Sequence, residues 1–265
     1  MMVATYLDEI LAHHRARASA DERQWRDRLD VHYEGPSMLE ALANQLNDCV
    51  KVIAEVKRRS PSKGWLNEHL DVAALARDYL LGGATAISVL TDTEHFAGAR
   101  EDLATVAQTV ALPLLRKDFT VSENDVIDAA QMGASTVLLI VAALSDEELA
   151  AFVALAHQVG IDALVEVHDH EEALRAVDGG ARIIGVNQRD LRTFDVDGDR
   201  AASVVDAVPS SIVTVCESGL RTSDDVGRAA QAGFDAVLVG EAFVKSDVVL
   251  DAVRAFSSVP LAHRG

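Results

Sequence analysis

The stretch Val52-Ile-Ala-Glu-Val-Lys-Arg-Arg-Ser-Pro-Ser-Lys-Gly64 decides how the rest of this chain is read. It begins apolar and β-branched, as a strand buried on both faces does, then turns charged and breaks at Ser60-Pro61. Side chains alternate along a strand, so Ile53, Glu55 and Lys57 point one way while Ala54, Val56 and Arg58 point the other. A carboxylate and an ammonium therefore leave the C-terminal end of a buried strand side by side. Burying charge is costly unless the charges are paired, so such a pair either closes the strand end as a salt bridge or serves chemistry.

Working outward, the same transition recurs. A helical segment ends at glycine, a small residue or two follow, and an apolar run begins. The run appears at Gly83–Leu90, Gly133–Ile140, Gly160–Glu166, Gly180–Val186 and Gly233–Val239. Glycine can stop a helix in the left-handed conformation, and the β-branched run then forms a strand. Val52–Glu55, Pro113–Lys117 and Ile212–Glu217 bring the apolar strands to eight, and helical patterns separate nearly all of them. These patterns cover Val72–Leu81, Glu101–Thr109, Glu123–Met132, Asp146–Val159, Glu171–Val177, Arg200–Val208 and Asp224–Ala232, with Val248–Phe256 last. The expectation is an α/β fold, a (β/α)8 TIM barrel. An open doubly wound sheet is the alternative, weakened because no Gly-x-Gly-x-x-Gly follows any strand.

Composition agrees. The chain has 265 residues, 49% of them hydrophobic but only 5% aromatic, so its core is aliphatic, as suits a parallel sheet covered by helices. Residues 1–48 are charged, helical in pattern and without strands. They read as an N-terminal helical extension packed on a barrel of residues 49–265. Within the extension, Thr5-Tyr-Leu-Asp8 has the form of a helix cap, with Tyr6, Leu7, Ile10 and Leu11 on one face. No apolar run is long enough to cross a bilayer and Met1–Ala20 lacks a signal-peptide core, so the expected location is cytoplasmic. Cys49 and Cys216 have no partners at metal-ligand spacing and read as reduced packing residues.

A net charge of −18 disfavours nucleic acid and anionic membranes as partners. Only five lysines are present, yet Lys57 and Lys117 fall at strand ends. An anionic substrate would therefore need a local positive island. The remaining strand ends carry Glu55, Thr91 with the Phe96 loop, Arg116 and Phe119, Leu138, Glu166 with His168, Asn187 to Arg189, Glu217 and Gly240-Glu241. In a (β/α)8 barrel those ends converge on one mouth. Lys57 and Lys117 with the glutamates Glu55, Glu166 and Glu217 there point to acid–base chemistry. Glycines after the last two strands, in Ser218-Gly219 and Gly240-Glu241, suit a phosphate held by backbone N–H groups, to which Ser60 could add a hydroxyl. Three charged groupings read as bland: His168-Asp-His170 lacks a third metal ligand, His13-His14 should be solvated, and Arg58, Arg59 and Arg116 should pair with helix carboxylates.

With these residues in view, the chain resembles the indole-3-glycerol phosphate synthases. The likeness runs in order through Ile53–Gly64, Ser88–Thr91 with Phe96, Leu115–Phe119, Val137–Ile140, Leu164–Glu166, Ile184–Leu191 and Glu217–Gly219. It implies conversion of 1-(2-carboxyphenylamino)-1-deoxyribulose 5-phosphate to indole-3-glycerol phosphate, carbon dioxide and water, with no cofactor and no metal. It further implies roles. Lys117 is the general acid at the ketone, Glu166 its acid–base partner, Lys57 the group that orients the carboxylate, and Glu55 the tuner of Lys57. Asn187 and Arg189 position the reacting groups and Glu217 completes the polar ring. Phe96, Phe119 and Leu138 hold the aromatic ring, while Ser60, Ser218, Gly219, Gly240 and Glu241 bind phosphate. Neighbouring lysines are expected to lower one another's pKa. Three positions depart from the family's usual pattern: Gln188, Cys216 and Glu241. The Glu241 carboxylate should turn away from a bound phosphate. A Schiff-base aldolase using Lys117 or Lys57 as nucleophile, or a barrel kept only as a scaffold, are the competing readings, and the oligomeric state stays open between monomer and homodimer.

Overall fold

A computed structural model describes residues 5–44, 48–61, 63–189 and 196–262. Ser62, Asp190 and Leu191, which form part of the quoted motifs, lie outside the described residues. Eight parallel strands close into a barrel: β1 (Lys51–Val56), β2 (Ala86–Leu90), β3 (Leu114–Lys117), β4 (Thr136–Ile140), β5 (Asp162–Val167), β6 (Ile183–Asn187), β7 (Val213–Glu217) and β8 (Ala236–Val239). β1 pairs with β2 on one side and β8 on the other, closing the ring. A two-residue hairpin, Arg59–Ser60 with Gly64–Trp65, follows β1. The open doubly wound alternative is thereby excluded.

The helices separating the strands fall where the sequence places them, within a residue or two at most ends, for example Val72–Gly82 and Asp146–Gln158. The recurring glycine behaves as its chemistry requires. Gly83, Gly133, Gly160, Gly180 and Gly233 all have φ between 81° and 95°, a region that a Cβ makes costly.

The alternation read along the first strand holds. Val52, Ala54 and Val56 face the helical layer, whereas Ile53 packs inside the barrel with Ala86, Leu115, Leu138, Ile140, Leu164, Ile183, Val215 and Leu238. This filled interior is what fixes the rim. Truncating a fully buried member such as Leu115 to alanine would cost roughly 2–5 kcal/mol.

The N-terminal segment reaches both ends of the barrel. At the start of β5, Asp162 accepts from the Ser37 hydroxyl (2.8 Å) and the Leu39 N–H (3.0 Å). That contact seats helix Met38–Ala43, whose Met38 and Leu42 complete the interior cluster. Helix Tyr6–Ser19 begins with the expected reciprocal cap between Thr5 and Asp8, and its Tyr6, Leu7 and Ile10 line a cavity at the strand ends. Arg15 holds this helix to Glu148 (2.6 and 2.8 Å). Arg23 and Arg28 both reach Asp128, at 2.9 and 2.5 Å.

Candidate active site

Strand register determines which side chains share the mouth. Ile140, Glu166 and Gly185 are neighbours across β4, β5 and β6, and Asn187 sits beside Glu217, which sits beside Leu238. The result is a cavity of about 400 Å³ at the C-terminal ends of the strands, a volume suited to a drug-sized ligand. All the candidate residues line it: Glu55, Lys57, Ser60, Phe96, Lys117, Phe119, Leu138, Glu166, Asn187, Arg189, Glu217, Ser218, Gly219, Gly240 and Glu241.

Lys117 is the centre of the polar ring. Its Nζ lies 2.9 Å from Glu166 Oε2 and 3.4 Å from Glu217 Oε2. Asn187 donates to the other Glu166 oxygen at 3.0 Å. Lys57 is paired with Glu55. The expected mutual depression of the lysines is not what this geometry produces at Lys117. Burial alone would lower its pKa, but Glu166, Glu217 and Glu55 surround the ammonium and raise it well above the lysine range. The two neighbouring glutamates divide. Burial would raise Glu166, yet the charges of Lys117 and His168 and the bonds from Lys117 and Asn187 hold it below the usual carboxylate range. Burial raises Glu217, and the charges of Glu166 and Glu55 add to that against the pull of Lys117. Two carboxylates with opposed shifts beside one ammonium form a site that can both give and take a proton.

Phe96 and Phe119 lie side by side in the cavity wall, tilted at 6.2 Å between ring centroids. At the other end of the cavity, the Ser60 hydroxyl is buried without a hydrogen-bond partner. Ser218 and Gly219 have φ of 66° and 76°, and a Cβ on Gly240 would come within 2.6 Å of Glu55 Oε1. The Glu241 carboxylate is taken up by Lys245 at 2.8 Å.

The sequence profile of the indole-3-glycerol phosphate synthases matches residues 7–256. A protein of that name from Micrococcus luteus is 50% identical over 215 residues, covering 81% of this chain and 80% of its own. One from Streptomyces griseus is 45% identical over 265 residues, 97% of this chain and 98% of its own. The chain belongs to the indole-3-glycerol phosphate synthase family. It is a decarboxylating carbon–carbon lyase acting in tryptophan biosynthesis on a phosphorylated small molecule. Among solved structures, thiamine phosphate pyrophosphorylase from Pyrococcus furiosus aligns with a TM-score of 0.62 at 21% identity over 80% of this chain and 96% of its own. At that identity it supports the barrel fold alone.

Several residues of this synthase site escape sequence reading. Gly185 is one: a Cβ there would lie 2.0 Å from Glu217 Oε1, so its missing side chain makes room for that carboxylate. Arg221 and Lys245 also line the cavity, so Lys57 is joined by further cations. Two departures from the family pattern meet each other, because Gln188 donates to Cys216 Sγ (2.7 Å) and to the Ser218 carbonyl (3.1 Å).

Two further expectations need correction. His14 is buried rather than solvated, bonded to Asp92 (2.8 Å), which His95 also contacts (3.1 Å). The helix period locates His14 on a face but says nothing of the loop after β2 that packs against it. Among the described residues, His14, Asp92 and His95 form a group whose ligand atoms lie within 4.8 Å of one another. Arg116 also finds different partners. Arg58 pairs with the helix carboxylate of Asp102, but Arg116 bonds Asp118 just after its own strand (2.8 Å) and the backbone carbonyl of Asp125 (2.8 Å). No helix among the described residues is long and apolar enough to cross a membrane.

Proposed function

We propose that Lys117 is the general acid of ring closure and Glu166 its acid–base partner. The observation that carries this is the Lys117 ammonium held between Glu166 and Glu217 at the floor of the cavity. The aromatic carbon bearing the carboxylate attacks the substrate's ketone, and Lys117 delivers a proton to the oxygen as negative charge develops there. Loss of carbon dioxide restores the ring electrons. Departure of the new hydroxyl as water then needs a proton on that oxygen and removal of one from the intermediate, for which Glu166 and the Lys57–Glu55 pair stand on the rim. An ammonium stabilised by surrounding carboxylates suits an acid far better than the neutral amine a Schiff base requires.

Asn187 orients Glu166, and Arg189 meets the substrate from the end of the sixth strand. Phe96, Phe119 and Leu138 sandwich the anthranilate ring. The phosphate lies against Ser60 and the backbone around Ser218-Gly219 and Gly240-Glu241, where the buried, unpartnered Ser60 hydroxyl supplies a donor. Arg221, Lys245 and Lys57 make this end of the cavity the positive island that an acidic protein needs for an anion. We also take residues 1–48 to be an extension of the barrel, which the ion pairs of Arg15, Arg23 and Arg28 with barrel helices support, and we place the protein in the cytoplasm with its two cysteines free.

Lys117→Ala tests the assignment. Turnover should fall by ~10²–10⁴-fold while substrate affinity, measured by titration under non-turnover conditions, changes far less. Near-normal turnover would remove Lys117 from the mechanism. Borohydride with substrate should leave no stable lysine adduct.

A further inference from the structure

His168 has no part in the chemistry described so far, yet it stands beside Glu166, one of the carboxylates that line the mouth. It follows Glu166 by two residues, just beyond the end of β5, with only 13% of its side chain exposed. Its backbone N–H donates to Glu172 Oε2 (2.7 Å), and its Nδ1 contacts the same oxygen (3.3 Å). Glu172 lies on helix His170–Asp178, so the helix carboxylate fixes both the main chain and the ring. That leaves Nε2 as the free end of the imidazole. Nε2 is buried, has no hydrogen-bond partner, and stands 4.0 Å from Glu166 Oε1.

We propose that His168 is a positioning residue for Glu166: an imidazolium, held by Glu172, that keeps the Glu166 carboxylate ionised and aimed while Lys117 spends its proton. The inference rests on Glu166 being the acid–base residue. Before chemistry, Lys117 compensates Glu166 directly at 2.9 Å. Once Lys117 has protonated the substrate oxygen it is neutral, and the ring then holds Glu55, Glu166 and Glu217 with one counter-charge fewer. A carboxylate in that position would seize the first available proton, and its capacity to act later as a base would be lost. A second cation on the far oxygen of Glu166 prevents this without competing for the substrate.

The charges around His168 favour the cation. Burial alone would discharge the ring, but the bond to Glu172 and the negative charges of Glu166 and Glu172 outweigh it and raise the pKa above the ordinary histidine value. Arg200, on helix Gly198–Val205, opposes them. Because the folded pKa is raised, the imidazolium persists to higher pH than that of an ordinary histidine and is lost as pH climbs past the raised value. Its loss therefore belongs to the alkaline side of the rate profile.

The test combines a titration with kinetics. The His168 ring protons are followed by NMR against pH in the wild type, in Glu172→Gln and in Glu166→Gln, and kcat is followed over the same range in these three proteins and in His168→Gln. Coupling is reciprocal, so removing either carboxylate charge should lower the His168 pKa, by roughly one unit. In Glu172→Gln the alkaline limb of kcat should move to lower pH by a similar amount. His168→Gln should lower kcat ~10-fold with KM little changed and should lack the limb altogether. An unmoved titration in Glu166→Gln, or a His168→Gln profile that superimposes on the wild type after scaling, overturns the proposal. If instead Glu166→Gln turns over normally, the assignment of Glu166 itself fails, whatever His168 does. Glu172→Gln still offers a side-chain oxygen to accept from the His168 N–H, so it answers the question even if His168→Gln folds poorly.

Discussion

At the scale of single residues, Glu166 and Glu217 flank one ammonium yet are pushed in opposite directions, down and up respectively. The split predicts unequal consequences of the same substitution. Glu217 is driven toward its protonated form, which glutamine imitates in shape and charge, so Glu217→Gln should retain kcat within ~10-fold near neutral pH. Glu166→Gln removes a carboxylate held ionised and should cost ~10²-fold or more. Steady-state kinetics of the two variants at one pH decide it; equal losses would mean that the two carboxylates are not divided as described. The sign follows from the raised folded pKa: protonated Glu217 predominates below it, and as pH rises through it the ionised form appears and the likeness to glutamine disappears. Much of this site is legible in the chain, because strand alternation alone puts Glu55 and Lys57 on the barrel side and Arg58 on the helix side. Gly185 is not legible. Its purpose lies in space occupied by a side chain of the next strand, which no local pattern records. The opposed shifts are hidden for the same reason, since they arise from distances between strand ends.

Elements carry the next set of consequences. The loops after β7 and β8 share the cavity with Ser60, whose buried hydroxyl lacks a hydrogen-bond partner. Ser60→Ala should therefore leave the melting temperature alone while raising KM and weakening inhibition by inorganic phosphate, each ~10-fold, as a lost bond to a charged group would. Glu241→Ser releases Lys245 and removes a negative charge, so it should lower KM; a rise would show that the carboxylate supports the site. Gly219→Val is a poorer probe. Gly219 has φ of 76° and an added Cβ would meet Val196 Cγ1 at 2.5 Å, so strain and lost binding would arrive together. The N-terminal helix is tied to the mouth through His14 and Asp92, and that tie should be acid-sensitive. Burial would raise the Asp92 pKa, but bonds from His14, the His95 N–H and the His95 ring hold it far below the ordinary value. Its contribution is thus present above the unfolded carboxylate pKa and lost as pH falls through the lower folded one. Asp92→Asn should lower the melting temperature at neutral pH, by ~1–3 kcal/mol in stability, and raise KM because Tyr6, Leu7 and Ile10 line the cavity. A normal KM would separate the helix from substrate binding. Periodicity locates Ile10 and His14 on the helix but not the surface that receives them.

For the molecule as a whole, the barrel is the part most openly written in the sequence. One unit, a helix stopped by a left-handed glycine and followed by a β-branched run, recurs often enough that closure into a ring is the economical solution. The balance of charge is legible only in part. A net charge of −18 demands a positive island, yet Arg221 and Lys245 join it only because β7 and β8 end beside β1. The same ring closure bears on metal dependence. In the proposed mechanism Lys117 is the proton donor, Glu166 the ionised base and nearby cations hold the phosphate, so that mechanism asks for no Lewis acid at the ketone. His14, Asp92 and His95 could ligate an ion, but they lie on the N-terminal helix and the segment after β2, and both Asp92 oxygens are already engaged by His14, the His95 ring and the N–H groups of His95 and Phe96. An ion there would have to displace those bonds, and it would tie the N-terminal helix down without touching Lys117. Prolonged incubation with a chelator should therefore leave kcat unchanged, and added zinc or magnesium should not raise it. If chelation lowers only the melting temperature, the ion is a clasp on the helix; if kcat falls and zinc or magnesium restores it, the metal-free mechanism is wrong.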